Sequence, residues 1–266
     1  MYLFIDQSNT LYMAERSFNR TQIWLEGQTN VTRTISTDLS TPVGIFVTLN
    51  GDIYIDNGAI NHRVDKWTLN ANSSVIAMNV NDSCFGLFID TKDFVYCSVG
   101  YGHKVMKQLL TDVTNTSITV AGNGIPGSTS YMLDGPRGIF IDSALTMYVA
   151  DSGNHRIQRF QSGNLNGTTI SIGGSHGTFT LSYPTAVILD IDNYLYISEW
   201  GNSRILGSGP TGFRCIIGCT NIAELNRPHG IAFDSYGNLF VFDTDNDRLQ
   251  KFFLSLNSCS KFEIFA

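Results

Sequence analysis

The chain has 266 residues, of which 42 % are hydrophobic and 15 % charged, enough apolar material for a substantial core. Its formal charge of −6 argues against a general phosphate-backbone binder, which is normally basic, so nucleic acid is not the expected partner. No run of about 18 apolar residues occurs, which excludes a transmembrane helix and membrane insertion by one.

Residues 1–6 (MYLFID) are too short and too soon followed by polar residues for a signal peptide. They read as a buried strand met midway, so the chain is expected to be part of a longer protein. From there one pattern recurs six times. A first apolar run ends at Asp6, Thr48, Asp90, Asp142, Asp190 and Asp234. Six residues after each stands an aromatic: Tyr12, Tyr54, Tyr96, Tyr148, Tyr196 and Phe240. A basic residue follows: Arg20, Arg63, Lys104, Arg156, Arg204 and Arg248, eight residues on in every copy but the second, where it is nine. Fixed spacing inside the unit, with variable spacers outside it, describes two strands joined by an invariant turn. A fourth strand is predicted at 33–37, 75–80, 117–122, 168–174, 214–218 and 261–265.

The inner runs, such as 139–141 and 231–233, are continuously apolar, as in strands covered on both faces. Sheets arranged radially around an axis meet that need, because each lies between two neighbours. The expected fold is all-β: a six-bladed β-propeller with four antiparallel strands per blade, and blades at about 1–40, 41–82, 83–133, 134–181, 182–225 and 226–266.

The segment MYVADSGNHRIQRF (147–160) resembles the NHL repeat, as do LYISEWGNSRI (195–205), LFVFDTDNDRL (239–249) and, more weakly, LYMAERSFNRT (11–21). PRGIFID (136–142) and PHGIAFD (228–234) are similar to that family's innermost strand. The resemblance implies an interaction or ligand-recognition domain. Some members bind RNA, and one branch is a zinc-dependent amidating lyase.

Two columns invite a catalytic story: the acids Glu15, Asp56, Asp151, Glu199 and Asp243, and the bases that include Arg156, Arg204 and Arg248. Their recurrence argues for a structural device, since a catalyst is needed once and blade hardware in every blade. An Asp can accept backbone N–H bonds in the turn, and an Arg can fork onto it or onto carbonyls. The lyase resemblance implies imidazoles at the start of the inner strands, where this chain has Val43, Phe85, Arg137, Thr185 and His229. Only His229 fits, whereas zinc needs three such ligands. His62, His103 and His155 fall in the turn before the basic column, and His176 in a Gly-rich spacer. Asp243–Asp247 lacks the Gly and terminal Glu of a calcium loop and reads as the repeat's own turn. Gly122–Gly124 and Gly173–Gly174 read as turns between blades. No nucleophile elbow or phosphate-cradling loop is present, so no catalytic residue, metal or cofactor is expected.

The starts of the inner strands and the turns between second and third strands are expected to open on one face. That rim would carry Phe85, Arg137, Thr185 and His229 near the channel, with Phe18, Tyr101 and Trp200 further out. Aromatics beside an Arg suit a recognition surface. Of the five cysteines, Cys215 and Cys219 would be about 13 Å apart along a straight strand and could join only if the chain bends at Gly218. Cys84 and Cys97 share a hairpin without being directly opposed. Sequons stand at Asn19, Asn30, Asn72, Asn81, Asn115 and Asn166. The expectation is a monomeric, non-catalytic scaffold that binds a protein, peptide or glycan as a module of a larger extracellular protein. The alternatives are a channel-centred metal enzyme and an RNA-binding domain.

Overall fold

The computed structural model describes residues 2–68, 71–112, 114, 116–174, 177–219, 224–255 and 258–265, the side chains of residues 59 and 254–265 excepted. His176, Asn115 and the Cys259 side chain therefore lie outside the described residues. Six four-stranded antiparallel sheets, each drawn from one contiguous segment, stand in a ring. Their innermost strands are Tyr2–Ile5, Ile45–Val47, Cys84–Ile89, Pro136–Ile141, Pro184–Leu189 and Pro228–Phe233, each touching the next and the last touching the first. The sequence predicts this architecture blade for blade.

The first-run column explains how each inner hairpin closes. Asp142 Oδ1 accepts the backbone N–H groups of Ala144 and Thr146 at 2.9 and 2.8 Å, and Asp6, Asp90, Asp190 and Asp234 do the same two and four residues on. A short acceptor that serves two turn donors fixes the hairpin, and of these five turns only that of blade six also uses glycine, at Gly237. The Tyr12 and Tyr96 hydroxyls donate to the second oxygens of Asp6 and Asp90 at 3.0 and 2.9 Å, which is why an aromatic recurs six residues later.

At the opposite end, the second strand runs into a short 3-10 turn in blades one, four and six (Arg16–Phe18, Ser152–Asn154, Thr244–Asn246). The residue before each basic position is left-handed in all six blades: Asn19, His62, His103, His155, Ser203 and Asp247 have φ between 48° and 54°. Blade two replaces the 3-10 turn by one α-helical turn, Gly58–Asn61, which absorbs its extra residue.

Between blades lie clusters of buried side chains. Tyr54, Val64 and Met78 of blade two pack on Leu87, Val95 and Val99 of blade three. The seam between the first and last blades is built alike, from Leu3 and Leu11 against Phe240, Phe242 and Leu249. Each such buried aliphatic or aromatic side chain contributes about 1.5–3 kcal/mol. Asn9 adds a polar tie across the seam, accepting the Ser235 N–H at 2.8 Å.

The central channel, about 260 Å³, is lined by the inner strands and is apolar. Phe4, Phe46, Phe88 and Phe140, each two residues before the hairpin column, form a belt with successive centroids 5.0, 5.0 and 5.2 Å apart. Ile188 and Ala232 complete it in blades five and six. Two residues earlier the strands carry Gly44, Gly86, Gly138, Ala186 and Gly230. A Cβ on Gly86 would stand 2.6 Å from the Arg137 carbonyl oxygen, and one on Gly138 2.8 Å from that of Thr185, so glycine lets neighbouring strands close the ring. Blade one has Tyr2 at this level.

Two pairings that the sequence leaves open are made, and one expectation changes. Cys84 and Cys97 are bonded with Cα atoms 5.0 Å apart, because a register shift between Ser98 and Val99 draws the diagonal pair together. Cys215 and Cys219 are also bonded, at 5.8 Å, because the strand Arg214–Ile217 ends at Gly218 (φ 73°), which bends the chain. In blade four the outer strand shortens to Thr168–Thr169, and Gly173–Gly174 is no simple turn but pairs with Gly177–Thr178 in a separate two-stranded ladder. The described sequon residues Asn19, Asn30, Asn72, Asn81 and Asn166 are all exposed.

Candidate functional site: one mouth of the channel

The recurrent columns take geometric form first. Asp151 is buried; its Oδ1 accepts the Asp134 N–H at 2.7 Å, and its Oδ2 accepts from Arg156 Nε at 2.7 Å. Arg156 then forks onto the carbonyls of Ser128, Thr129 and Met132 in the connection from the preceding blade. Glu199 with Arg204 and Asp243 with Arg248 repeat this, each acid accepting an N–H from 17 residues before it. Glu15 pairs with Arg20. In blade two the equivalent residue is Asn57, not Asp56: Asn57 Oδ1 accepts the Ser40 N–H, again 17 residues back, at 2.7 Å. Asp56 faces the other way and takes the Cys84 N–H at 2.9 Å, and burial pushes its carboxyl up to about 8.

The turn histidines have a mechanical place. His103 Nδ1 accepts the Gly135 N–H at 3.1 Å, and His155 Nδ1 that of Tyr183 at 3.0 Å, each reaching the next blade. Asn19 and Ser203 make the same link to Thr41 and Arg227. Asp245, in the acidic turn 243–247, pairs with Arg227 at 3.0 Å.

At the mouth the strand starts converge. Arg137 NH1 lies 3.5 Å from His229 Nε2, two blades away, and its guanidinium stands 5.1 Å from the centre of the Phe85 ring. Tyr2, from the blade opposite Arg137, packs edge-on to His229 at 6.4 Å. The Tyr2 hydroxyl is buried and its proton meets no acceptor among the described residues, while its oxygen lies against the Arg137 guanidinium. Among the described residues no carboxylate lies within ion-pair distance of Arg137. Burial, reinforced by the Arg137 charge, pushes the His229 imidazole down to about 3, so it is neutral at physiological pH. Burial also raises the Tyr2 phenol, which keeps its proton.

The expected rim is thus brought together in part. Phe85, Arg137 and His229 meet, and Tyr101, 70 % exposed, stands edge-on over Phe85 at 5.7 Å. Phe85 itself is only 7 % exposed and serves as a wall. Thr185 is buried, and its hydroxyl is spent on the Pro228 and His229 carbonyls at 3.0 and 3.1 Å. Trp200 belongs to a separate pile: the Arg227 guanidinium lies 4.5 Å from its ring centre, Tyr183 meets it edge-on at 5.8 Å, and His155 meets Tyr183 at 4.3 Å. Phe18, 62 % exposed, lies under Arg20. Sequence reasoning missed Tyr2, Tyr183 and Arg227. The signal for Tyr2 was available, as the one large residue in a column of glycine and alanine.

A zinc centre does not fit these residues. His229 is the one imidazole that begins an inner strand, and among the described residues no three His, Cys, Asp or Glu side chains gather closely enough to hold an ion.

The sequence pattern of the NHL repeat matches residues 133–160 and 225–252. No protein with a curated description matches the sequence significantly. Several solved structures share the fold at low identity. The nidogen/laminin complex contains a chain with TM-score 0.74 and 12 % identity, over 96 % of this chain and 92 % of that one. Virginiamycin B lyase from Staphylococcus aureus, solved as an inactive variant with quinupristin, gives 0.69 and 13 %, over 98 % and 82 %. An auxiliary nutrient binding protein from Bacteroides thetaiotaomicron gives 0.67 and 17 %, over 94 % and 68 %.

Proposed function

This chain is an NHL-repeat six-bladed β-propeller, and from that premise we propose that it is a non-catalytic binding module of a larger extracellular protein. It presents the channel-mouth face, with Arg137, His229, Tyr101 and the Trp200–Arg227 pile, to a protein, peptide or glycan partner. The observation that carries this reading is the pairing of aromatic rings with cations on one face: Arg227 over half-buried Trp200, and Arg137 against buried Phe85 beneath exposed Tyr101. Such groups combine apolar area with directed hydrogen bonding and dominate recognition surfaces. The acids that recur in the repeat are occupied by turn and connection donors, which leaves them without a free catalytic role. Two cystine bridges favour an oxidising compartment. Propeller neighbours found in a nidogen/laminin complex and in a nutrient binding protein lend the binding role support by fold.

The test is a screen of the domain against a glycan array, a peptide library and purified ectodomains, repeated with four variants. Trp200→Ala and Arg227→Ala should abolish the partners found, while Tyr236→Ala and Ile191→Ser, in the hairpin turns of the opposite end, should leave them. The reverse pattern refutes the assignment of the face.

A further inference from the structure

We propose that the channel mouth framed by Tyr2, Arg137 and His229 is a carboxylate-binding site, taking a monoanionic acid carried on an uncharged, partly apolar body. This deepens the binding-module reading and rests on it for the choice of face. Three observations point the same way. Arg137 holds a permanent charge with no carboxylate in reach among the described residues; its neighbours are a ring face at 5.1 Å and a neutral imidazole at a long 3.5 Å. A guanidinium has five N–H donors, and a planar carboxylate fits two of them at once. The Tyr2 hydroxyl, on a residue 7 % exposed, turns its oxygen towards Arg137 and keeps a proton that meets no acceptor among the described residues. An acceptor bound on Arg137 would satisfy it. Among the described side chains of the mouth, one cation with neutral donors matches a single negative charge better than a phosphate dianion. The Phe85 and Tyr101 rings at 5.7 Å supply the apolar wall for the body that carries the acid.

The acid could be the free C-terminus of a peptide or a small organic carboxylate, and the test separates these sources. Isotope-labelled full chain is titrated with N-acetylglycine, N-acetylglycinamide, hexanoate and inorganic phosphate while the Arg137 Nε–H resonance is followed. The expected result is a saturable shift with N-acetylglycine, with hexanoate, or with both, and none with the amide. The tighter acid identifies the source. Arg137→Gln should weaken binding at least tenfold, and Tyr2→Phe, which removes one oxygen and keeps the ring, several-fold; Tyr236→Ala should change nothing. Equal binding of the amide, equal or tighter binding of phosphate, no saturable shift with either acid, or full affinity in Tyr2→Phe overturns the proposal. This titration needs no macromolecular partner, so its failure removes the pocket alone, whereas failure of the partner screen leaves its result standing.

Discussion

His155 Nδ1 accepts the Tyr183 backbone N–H at 3.0 Å and so ties the turn of blade four to the strand start of blade five. Both residues are left-handed, with φ of 54° and 45°, and Asn19–Thr41, His103–Gly135 and Ser203–Arg227 repeat the relationship around the ring. Blades that share no strand are thus linked by side-chain acceptors as well as by apolar packing. His155→Ala should cost about 1 kcal/mol, the net value of one such bond, and lower the melting temperature by roughly 2–4 °C. His155→Asn should recover most of it, since Asn19 does the same job in blade one. Equal losses in the two variants, read by calorimetry, would mean that ring packing on Tyr183 matters and the bond does not.

Asp56 gives the stability a pH dependence. Its folded carboxyl is pushed up to about 8, while the unfolded chain releases the proton near pH 4. Between these values the folded state holds the extra proton, so this group's contribution is fully present below about pH 4 and is lost as pH rises towards 8. Asp56→Asn mimics the protonated form. The variant should melt several degrees above the parent at pH 8, with the gap closing towards pH 5. A gap independent of pH would show that Asp56 titrates normally.

Arg156 neutralises a fully buried carboxylate and is itself 14 % exposed, whereas Arg20 faces Glu15 from a 35 % exposed position. Removing one partner of a buried pair costs about 3–5 kcal/mol, because the other charge is left in low dielectric. Arg156→Met should therefore approach that loss, and Arg20→Met should cost roughly half as much or less. Denaturant midpoints of the two variants provide the comparison. Equal losses would contradict the role given to burial.

The two cystines close loops of different length, their bonded positions lying 13 and 4 residues apart in the chain. Chain-entropy reasoning gives about 3 kcal/mol for the first and about 2 for the second. Cys84→Ala with Cys97→Ala should thus destabilise more than Cys215→Ala with Cys219→Ala, measured by urea unfolding without reductant. The opposite order would mean that the Gly218 bend depends on its bridge more than loop length implies.

Much of the fold was legible because its signals repeat. One aromatic and one basic residue per blade survive six copies and the hairpin Asp survives in five, where it accepts the same two turn N–H groups. What escaped was whatever breaks the repeat or bends the strand. The shift from Asp56 to Asn57 hides in a blade whose turn is one residue longer. The bond between Cys84 and Cys97 depends on a register shift that alternation does not reveal. The mouth was half visible: Arg137 and His229 stand at equivalent strand starts, but the burial of Thr185 and the crossing of Tyr2 from the opposite blade depend on how six strands meet at an axis.

The account turns on which face of the ring is used, and hydrogen exchange with and without a bound partner reads that directly. Slowed exchange confined to residues around 101–103, 183, 200–203, 227–229 and 244–246 is the predicted footprint. Protection of the hairpin turns near 7–9, 91–93, 191–193 and 235–237, with the mouth unchanged, would contradict it.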